Sequence, residues 1–401
     1  MPAVSRQPGL PTVLRQPGLR TVAGGFAAFG TFWGAWAVSV ADIERSLGLS
    51  HASFGLFLSA ALVAAAGSNA VAGSLCERWG TRRTFVTGLV VWSVLLAAAA
   101  AAPDGALTGL AIGVSIVAAG GVDVAMNVAA TAGLVDEPGR LVRFHSFFNV
   151  GAAAGAAIAG TVLHAGLSWR WIWLFAGVVM LTLGAVSRRS PMPAAAGSPE
   201  PQSLLSSLRA VRGEGLVLLA VIFACGAMVE GGIDTWGVLY LREKLAVGVL
   251  AGASAYTIGQ LVATASRAGL GPRAGRLGSR RGVAAGAGVA AAGMVALCVG
   301  RPVPLAAAGL AVAAGGVSMC WPLLMALTGS GRQRPANAVG GVSSIGYLGF
   351  VVGPALVGWL ASVAGLRAGL ALLAAAAGFV AVAASRLTSS GTRRGRYGLR
   401  P

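Results

Sequence analysis

The chain is poor in charge, and poorest in the groups that most chemistry needs. Of 401 residues, 12 are acidic, three are histidine and four are cysteine, and charged side chains of all kinds make up 10 %. Ordinary soluble domains carry about 25 %. A water-soluble enzyme, a disordered chain and a nucleic-acid-binding module all fit this composition poorly. The one lysine, Lys244, follows Glu243, so there is no GxxxxGK[ST] phosphate loop and ATP-driven pumping by this chain is excluded. The sequence has no HExxH, no CxxC and no cysteine–histidine cluster, so no metal and no cofactor is expected. Cys76, Cys225, Cys298 and Cys320 are scattered and read as small hydrophobes rather than disulfide partners. No Ser or Cys has a recognisable base beside it, and the chain is not read as an enzyme.

What is abundant is apolar. Hydrophobic residues make up 56 %, about 225 positions, and mean hydropathy is +0.77. A transmembrane helix takes roughly 20 such residues, so twelve take about 240. Twelve apolar runs bounded by charge or turn residues lie between 21 and 385. The eighth, 251–271, is the weakest because it carries Tyr256, Gln260 and Arg267. The expectation is an all-α membrane protein with twelve transmembrane helices in two pseudo-symmetric six-helix bundles. A tail at 1–20 precedes a bundle at 21–187. A Pro/Ala/Ser-rich linker at 188–214 leads to a second bundle at 215–385 and a basic tail at 386–401. No small-residue cleavage site follows the first apolar run, which reads as a retained helix.

The formal charge of +18 then becomes a topology label. Of 30 basic residues, 23 fall in the two tails and in the loops after even-numbered spans, six fall in the alternate loops, and Arg267 lies within a span. Basic residues collect on the cytoplasmic side, which places both termini there and makes the span count even. A multi-pass protein of the cytoplasmic (plasma) membrane is expected, as a monomer without nucleic-acid partners.

The chain also repeats itself. Gly73, Glu77, Arg78, Gly80 and Arg82 follow the second span; Gly271, Arg276, Gly278 and Arg280 follow the eighth, four of the pairs offset by 198 residues, with Gly275 where Glu77 would fall. The same offset carries Gly151, Gly155 and Gly160 onto Gly349, Gly353 and Gly358. Parallel six-helix repeats are a transporter architecture. The glycine turns allow tight helix reversal, and their arginines suit helix-terminal carbonyls or lipid phosphates. Small residues in spans 5 and 11 permit close helix contact, which drives association in lipid.

Residues 73–83 resemble the loop 2–3 signature of the major facilitator superfamily, with 271–281 its degenerate copy. Further segments are similar to the fucose–proton symporters and their bacterial relatives. These are Gly34–Trp36 with Leu47–Ser50, Gly121–Asn127, Phe144–Phe148, Glu230–Gly231 with Trp236 and Tyr240–Arg242, and Gly346–Phe350. The resemblance implies a secondary transporter with a solute cavity between two bundles, and it matches Asp123 to an acid used in helix 4 of those symporters. It departs at Ser39, where relatives carry a base, and in helix 1, whose one acid within the apolar run, Asp42, is near the outer end.

Ionisable groups inside a bilayer are costly and are functional candidates. Asp123, Glu230, Asp234 and His145 are the candidates for proton coupling, with packing hydrogen bonds as the alternative. Asn127, Asn149, Trp36, Trp236, Tyr256, Gln260, Trp321 and Tyr347 are candidates to line the cavity, alongside Trp33. Arg267 is expected to hold the interface between the bundles by pairing with an acid. Trp169, Trp171 and Trp173 read as an interfacial belt. The function expected is proton-coupled movement of a small solute, a polar one such as a sugar being favoured. Proton-driven efflux of drugs or metabolites, and a non-transporting receptor or scaffold, are the alternatives.

Overall fold

A computed structural model describes residues 18–134, 143–193, 209, 211–213, 215–300, 302–329 and 335–387, with backbone alone at 70, 270–277, 329 and 335–340. Most of the 1–20 tail, the middle of the 188–214 linker and nearly all of the 386–401 tail lie outside these residues, as do the side chains of Gly271 and Arg276.

Twelve transmembrane helices account for nearly everything described. They are α1 (Leu19–Leu47), α2 (His51–Trp79), α3 (Thr81–Ala101), α4 (Gly105–Gly133), α5 (Ser146–His164) and α6 (Trp169–Ser187), followed by α7 (Val217–Lys244), α8 (Val249–Leu277), α9 (Ser279–Val299), α10 (Val303–Gly329), α11 (Pro335–Ala364) and α12 (Leu366–Arg386). Three are interrupted: α7 by a π-helical turn at Ile233–Gly237, α10 at Ser318–Met319 and α11 at Tyr347. Eleven helices are long and apolar enough to cross a membrane. The exception, α8, is as long as α2, at 29 residues, but carries the polar groups noted above. The described chain is thus a multi-pass membrane protein.

The sequence repeat is a structural one. The ends of α2 and α3 map onto those of α8 and α9 at the same 198-residue offset. Between them sits one glycine in each half, Gly80 at φ 87° and Gly278 at φ 82°. Only glycine adopts that backbone region without strain, so a single residue reverses the chain between two long helices. In the second copy the Arg280 guanidinium donates to the Leu387 carbonyl at the end of α12, which satisfies a helix terminus that would otherwise lack a partner.

Close packing of α1 on α5 is built from glycine. A Cβ on Gly30, Gly34, Gly151 or Gly155 would lie 1.9–2.0 Å from a backbone carbonyl oxygen of the facing helix. Gly349 of α11 approaches Ala224 of α7 in the same way. This contact fixes depth: Phe148 meets Gly30, roughly 16 Å along α1 from its start. Asn149 therefore sits near mid-bilayer, deeper than its place on the first turn of α5 suggests.

The halves touch along two seams, α2 on α11 and α5 on α8, with α1 bridging to α7. Both seams are tight toward the face opposite the one bearing the helical ends Leu19 and Arg386. Gly55 and Gly358 approach Pro354 and His51 backbone, the Ser59 hydroxyl accepts from Ala355 N–H, and Ser362 accepts from Ala52 N–H. At that face Arg242 of α7 bonds Asp42 of α1 at 2.6 Å. His51 of α2 lies between Glu44 of α1 and Glu243 of α7, at 2.6 and 3.4 Å. Toward the arginine-rich face, among the described residues, a Cβ on Gly67 or Gly73 meets nothing within 4 Å. The bundle is latched at one face.

Gly155→Ala forces a Cβ onto the Thr31 carbonyl and should cost on the order of 1–3 kcal/mol, read as a lower unfolding temperature in detergent. Gly67→Ala should leave that temperature unchanged or slightly higher.

Candidate functional site

A proline positions the central cation. Pro322 has no N–H, so the carbonyl four residues before it, Ser318, loses its helical partner and α10 breaks there. Arg267 of α8 fills the vacancy with Nε–H donating to Ser318 O at 3.0 Å. Its other nitrogens reach Asn149 Oδ1 of α5 at 2.6 Å and Glu230 Oε1 of α7 at 3.2 Å. All three nitrogens of this buried guanidinium donate, which is what makes a charge tolerable at that depth. Arg267 thus joins three helices of its own half to one of the other.

Asn149 passes the connection on, donating to Gln260 Oε1 at 2.7 Å across the α5–α8 seam. Gln260 in turn donates to Asp234 Oδ1 at 3.4 Å, and the Tyr256 hydroxyl donates to the same oxygen at 2.6 Å. Asp234 lies in the π-helical turn of α7, one turn beyond Glu230. Such turns insert a residue and re-aim side chains, and they occur often at functional sites. Glu230 is paired with a cation; among the described residues no basic side chain bonds Asp234, whose partners are both neutral.

These groups border a narrow cavity of about 10 Å³, room for about one water, lined by Asn149, Glu230, Asp234, Gln260 and Ser318 and flanked by apolar Phe148, Ile233, Ala263, Ala314 and Val317. Four helices from both halves contribute.

A second chain of polar groups lies in the first half. Asn127 donates to both the Asp123 carboxylate and the Asp123 carbonyl at 2.9 Å, and its own Oδ1 lies 3.2 Å from His145 Nε2. His145 thus connects with Asp123 through Asn127, and its ring packs edge-on against Phe26.

The aromatic expectations need correction. Trp36 and Trp236 are fully buried in a ring cluster around Phe54, and Trp36 also packs against Trp173; neither borders the cavity. Their faces are consumed by neighbouring rings, so they hold α1, α2, α6 and α7 together. Tyr256 is buried behind Asp234 and reaches the site only through its hydroxyl. Trp321 and Tyr347 pack on each other and on Phe350, with Tyr347 40 % exposed. Of the supposed belt only Trp171 points outward, at 60 % exposure, while Trp169 and Trp173 are packed inside. Sequence reading missed the latch residues Asp42, Glu44 and His51 and the role of Ser318. The proline four residues after Ser318 was the available signal.

A family model described as Major Facilitator Superfamily matches residues 21–334. The chain belongs to that superfamily. Its members by similarity include an uncharacterised MFS-type transporter of Yersinia pestis, 27 % identical over 88 % of this chain and 91 % of that one. The membrane protein MosC of Rhizobium meliloti is 26 % identical over 87 % and 85 %. Among solved structures a D-xylose–proton symporter superposes with a TM-score of 0.73 at 15 % identity, covering 92 % of this chain and 96 % of that one. The nucleoside transporter NupG gives 0.70 at 17 %, covering 91 % and 97 %. At these identities the structural likenesses establish the twelve-helix superfamily fold.

Removing Arg267 strands Glu230 and the Ser318 carbonyl in a low-dielectric site, and losing one partner of a buried pair costs about 3–5 kcal/mol. Arg267→Met should therefore lower the unfolding temperature more than Arg267→Met combined with Glu230→Gln. Equal losses would contradict the pairing.

Proposed function

We propose that the protein is a proton-coupled secondary transporter of a small polar solute, working by alternating access of the central cavity to the two membrane faces. The observation that carries this reading is the division of labour between two acids one turn apart. Glu230 is held by Arg267, whereas Asp234 borders the cavity and, among the described residues, is hydrogen-bonded to neutral partners. An acid so placed is costly when ionised and cheap when protonated, so gain or loss of one proton changes the energy of the cavity. A ligand or proton that interacts differently with two conformations shifts their populations.

The amides of Asn149 and Gln260 supply donors and acceptors suited to hydroxyl or amide groups of a solute, and they lie on opposite halves. Rocking the halves must break or remake that bond. Solute binding and movement are coupled there. The Asp123–Asn127–His145 chain is a second proton-accepting group in the first half, consistent with the resemblance to fucose–proton symporters. The arginine-rich face is cytoplasmic by charge asymmetry, which puts both termini inside and the latched face outside the plasma membrane. One chain forms the whole cavity, so a monomer suffices.

Proteoliposomes with an imposed pH gradient provide the test, using a panel of sugars, nucleosides, organic acids and drugs. The expected result is accumulation of one solute class with matching proton movement. Asp234→Asn should abolish accumulation, by at least tenfold, while sparing solute counterflow. Unchanged accumulation in that variant would overturn the coupling assignment, and proton movement with no solute of the panel would favour a non-transporting role.

A further inference from the structure

Away from the cavity, at the latched face, His51 opens α2 and stands between two carboxylates. Its Nδ1 lies 2.6 Å from Glu44 Oε1 of α1, in its own half, and its Nε2 lies 3.4 Å from Glu243 Oε2 of α7, in the other. Ionised carboxylates only accept hydrogen bonds. A neutral imidazole donates from one nitrogen and presents a lone pair on the other, so it satisfies one of these acceptors and opposes the second. The doubly protonated ring satisfies both.

Glu44 sharpens the argument. The residue is 4 % exposed, and its second oxygen, Oε2, is buried with no hydrogen-bond partner among the described residues. A buried carboxylate with one contact is stabilised by a cation there. The surrounding charges leave that place to His51. Arg45 and Arg242 are both bonded to Asp42, and Lys244 stands next to Glu243 within electrostatic reach, opposing a second positive charge. The helix packed on the other side, α11, offers the Ser362 hydroxyl to Ala52 N–H and brings Gly358 against the His51 carbonyl, with no ionisable group at either contact. The Trp236 ring lies edge-on, 5.9 Å away.

We propose that His51 is a proton-binding site of the closed latch, so that closure of this face takes up one proton that opening releases. The geometry distinguishes it from the central acids, because the proton here bridges the two halves directly. Opening separates Glu243 from His51 and returns the imidazole to water, where its ordinary value is near 6.5. The sign follows. The closed form binds one proton more than the open form, so acid favours closure and rising pH favours opening, by up to about tenfold in their ratio per pH unit. The medium at that face then sets how readily the cavity opens to it. The inference rests on the two-state movement proposed above, but its test reads conformation and not transport, so the two fail separately.

The test uses the full chain in lipid nanodiscs, with its four cysteines replaced and spin labels at Ala106→Cys and Ala364→Cys, both exposed at that face. Their distance distribution is followed from about pH 5 to about pH 9, the range in which an imidazole titrates. The closed population should dominate in acid and fall by up to about tenfold per unit as pH rises. His51→Arg should stay closed throughout, and His51→Gln should lose the pH response. A pH response identical in His51→Gln and wild type, or none in wild type, would overturn the proposal. A second reading needs no substitution at His51. With three histidines in the chain, ¹⁵N spectra of labelled imidazoles can be assigned using His145→Asn and His164→Asn. An imidazolium at His51 in the closed form supports the site, and a neutral ring there overturns it.

Discussion

A guanidinium sits in the middle of a bilayer only where its nitrogens find acceptors, and that requirement organises this molecule. Arg267 finds its partners in a carbonyl released by Pro322, a carboxylate on α7 and an amide on α5. The first two fix α8 against α7 and α10 within one half. The third reaches across the seam, so the internal order of the second half and its contact with the first share one side chain. Gln260 and Asp234 extend the same network by two further bonds.

The pseudo-symmetry explains why the network is lopsided. Backbone features repeat faithfully, including the one-glycine reversals and the glycine contacts between α1 and α5 and between α7 and α11. The chemistry appears where the two copies diverge. At the 198-residue offset Arg267 answers to Asn69, Asp234 to Trp36, Asn149 to Tyr347 and Asp123 to Trp321. A shared scaffold thus carries a polar group in one half and an aromatic ring at the equivalent place in the other, the polar member falling in the second half at Asp234 and in the first at Asn149 and Asp123. Trp36 packs as core, whereas its equivalent Asp234 borders the cavity.

Much of this was legible in the residues. Twelve spans, their boundaries to within a few residues and the repeat follow from periodicity, charge and glycine spacing, because lipid leaves a segment so few choices. The residues flagged by cost, Arg267, Glu230, Asp234 and Asp123, lie in two compact networks, since an intramembrane polar group has to find a partner. Aromatic residues were less legible. A Trp is equally at home in a cavity wall, a packed core or a membrane interface, and only the neighbours decide. The latch was illegible for another reason: Glu44, His51 and Glu243 are ordinary near a helix end, and their meaning comes from three helices converging.

The central claim is that Glu230 is a fixed structural anion while Asp234 is the group whose protonation changes. Infrared difference spectra of the protein in lipid films, taken across a pH step, report the carbonyl stretch of a protonated carboxyl. The account predicts a protonation band that disappears in Asp234→Asn and persists in Glu230→Gln. A band that persists without Asp234 and vanishes without Glu230 would contradict it.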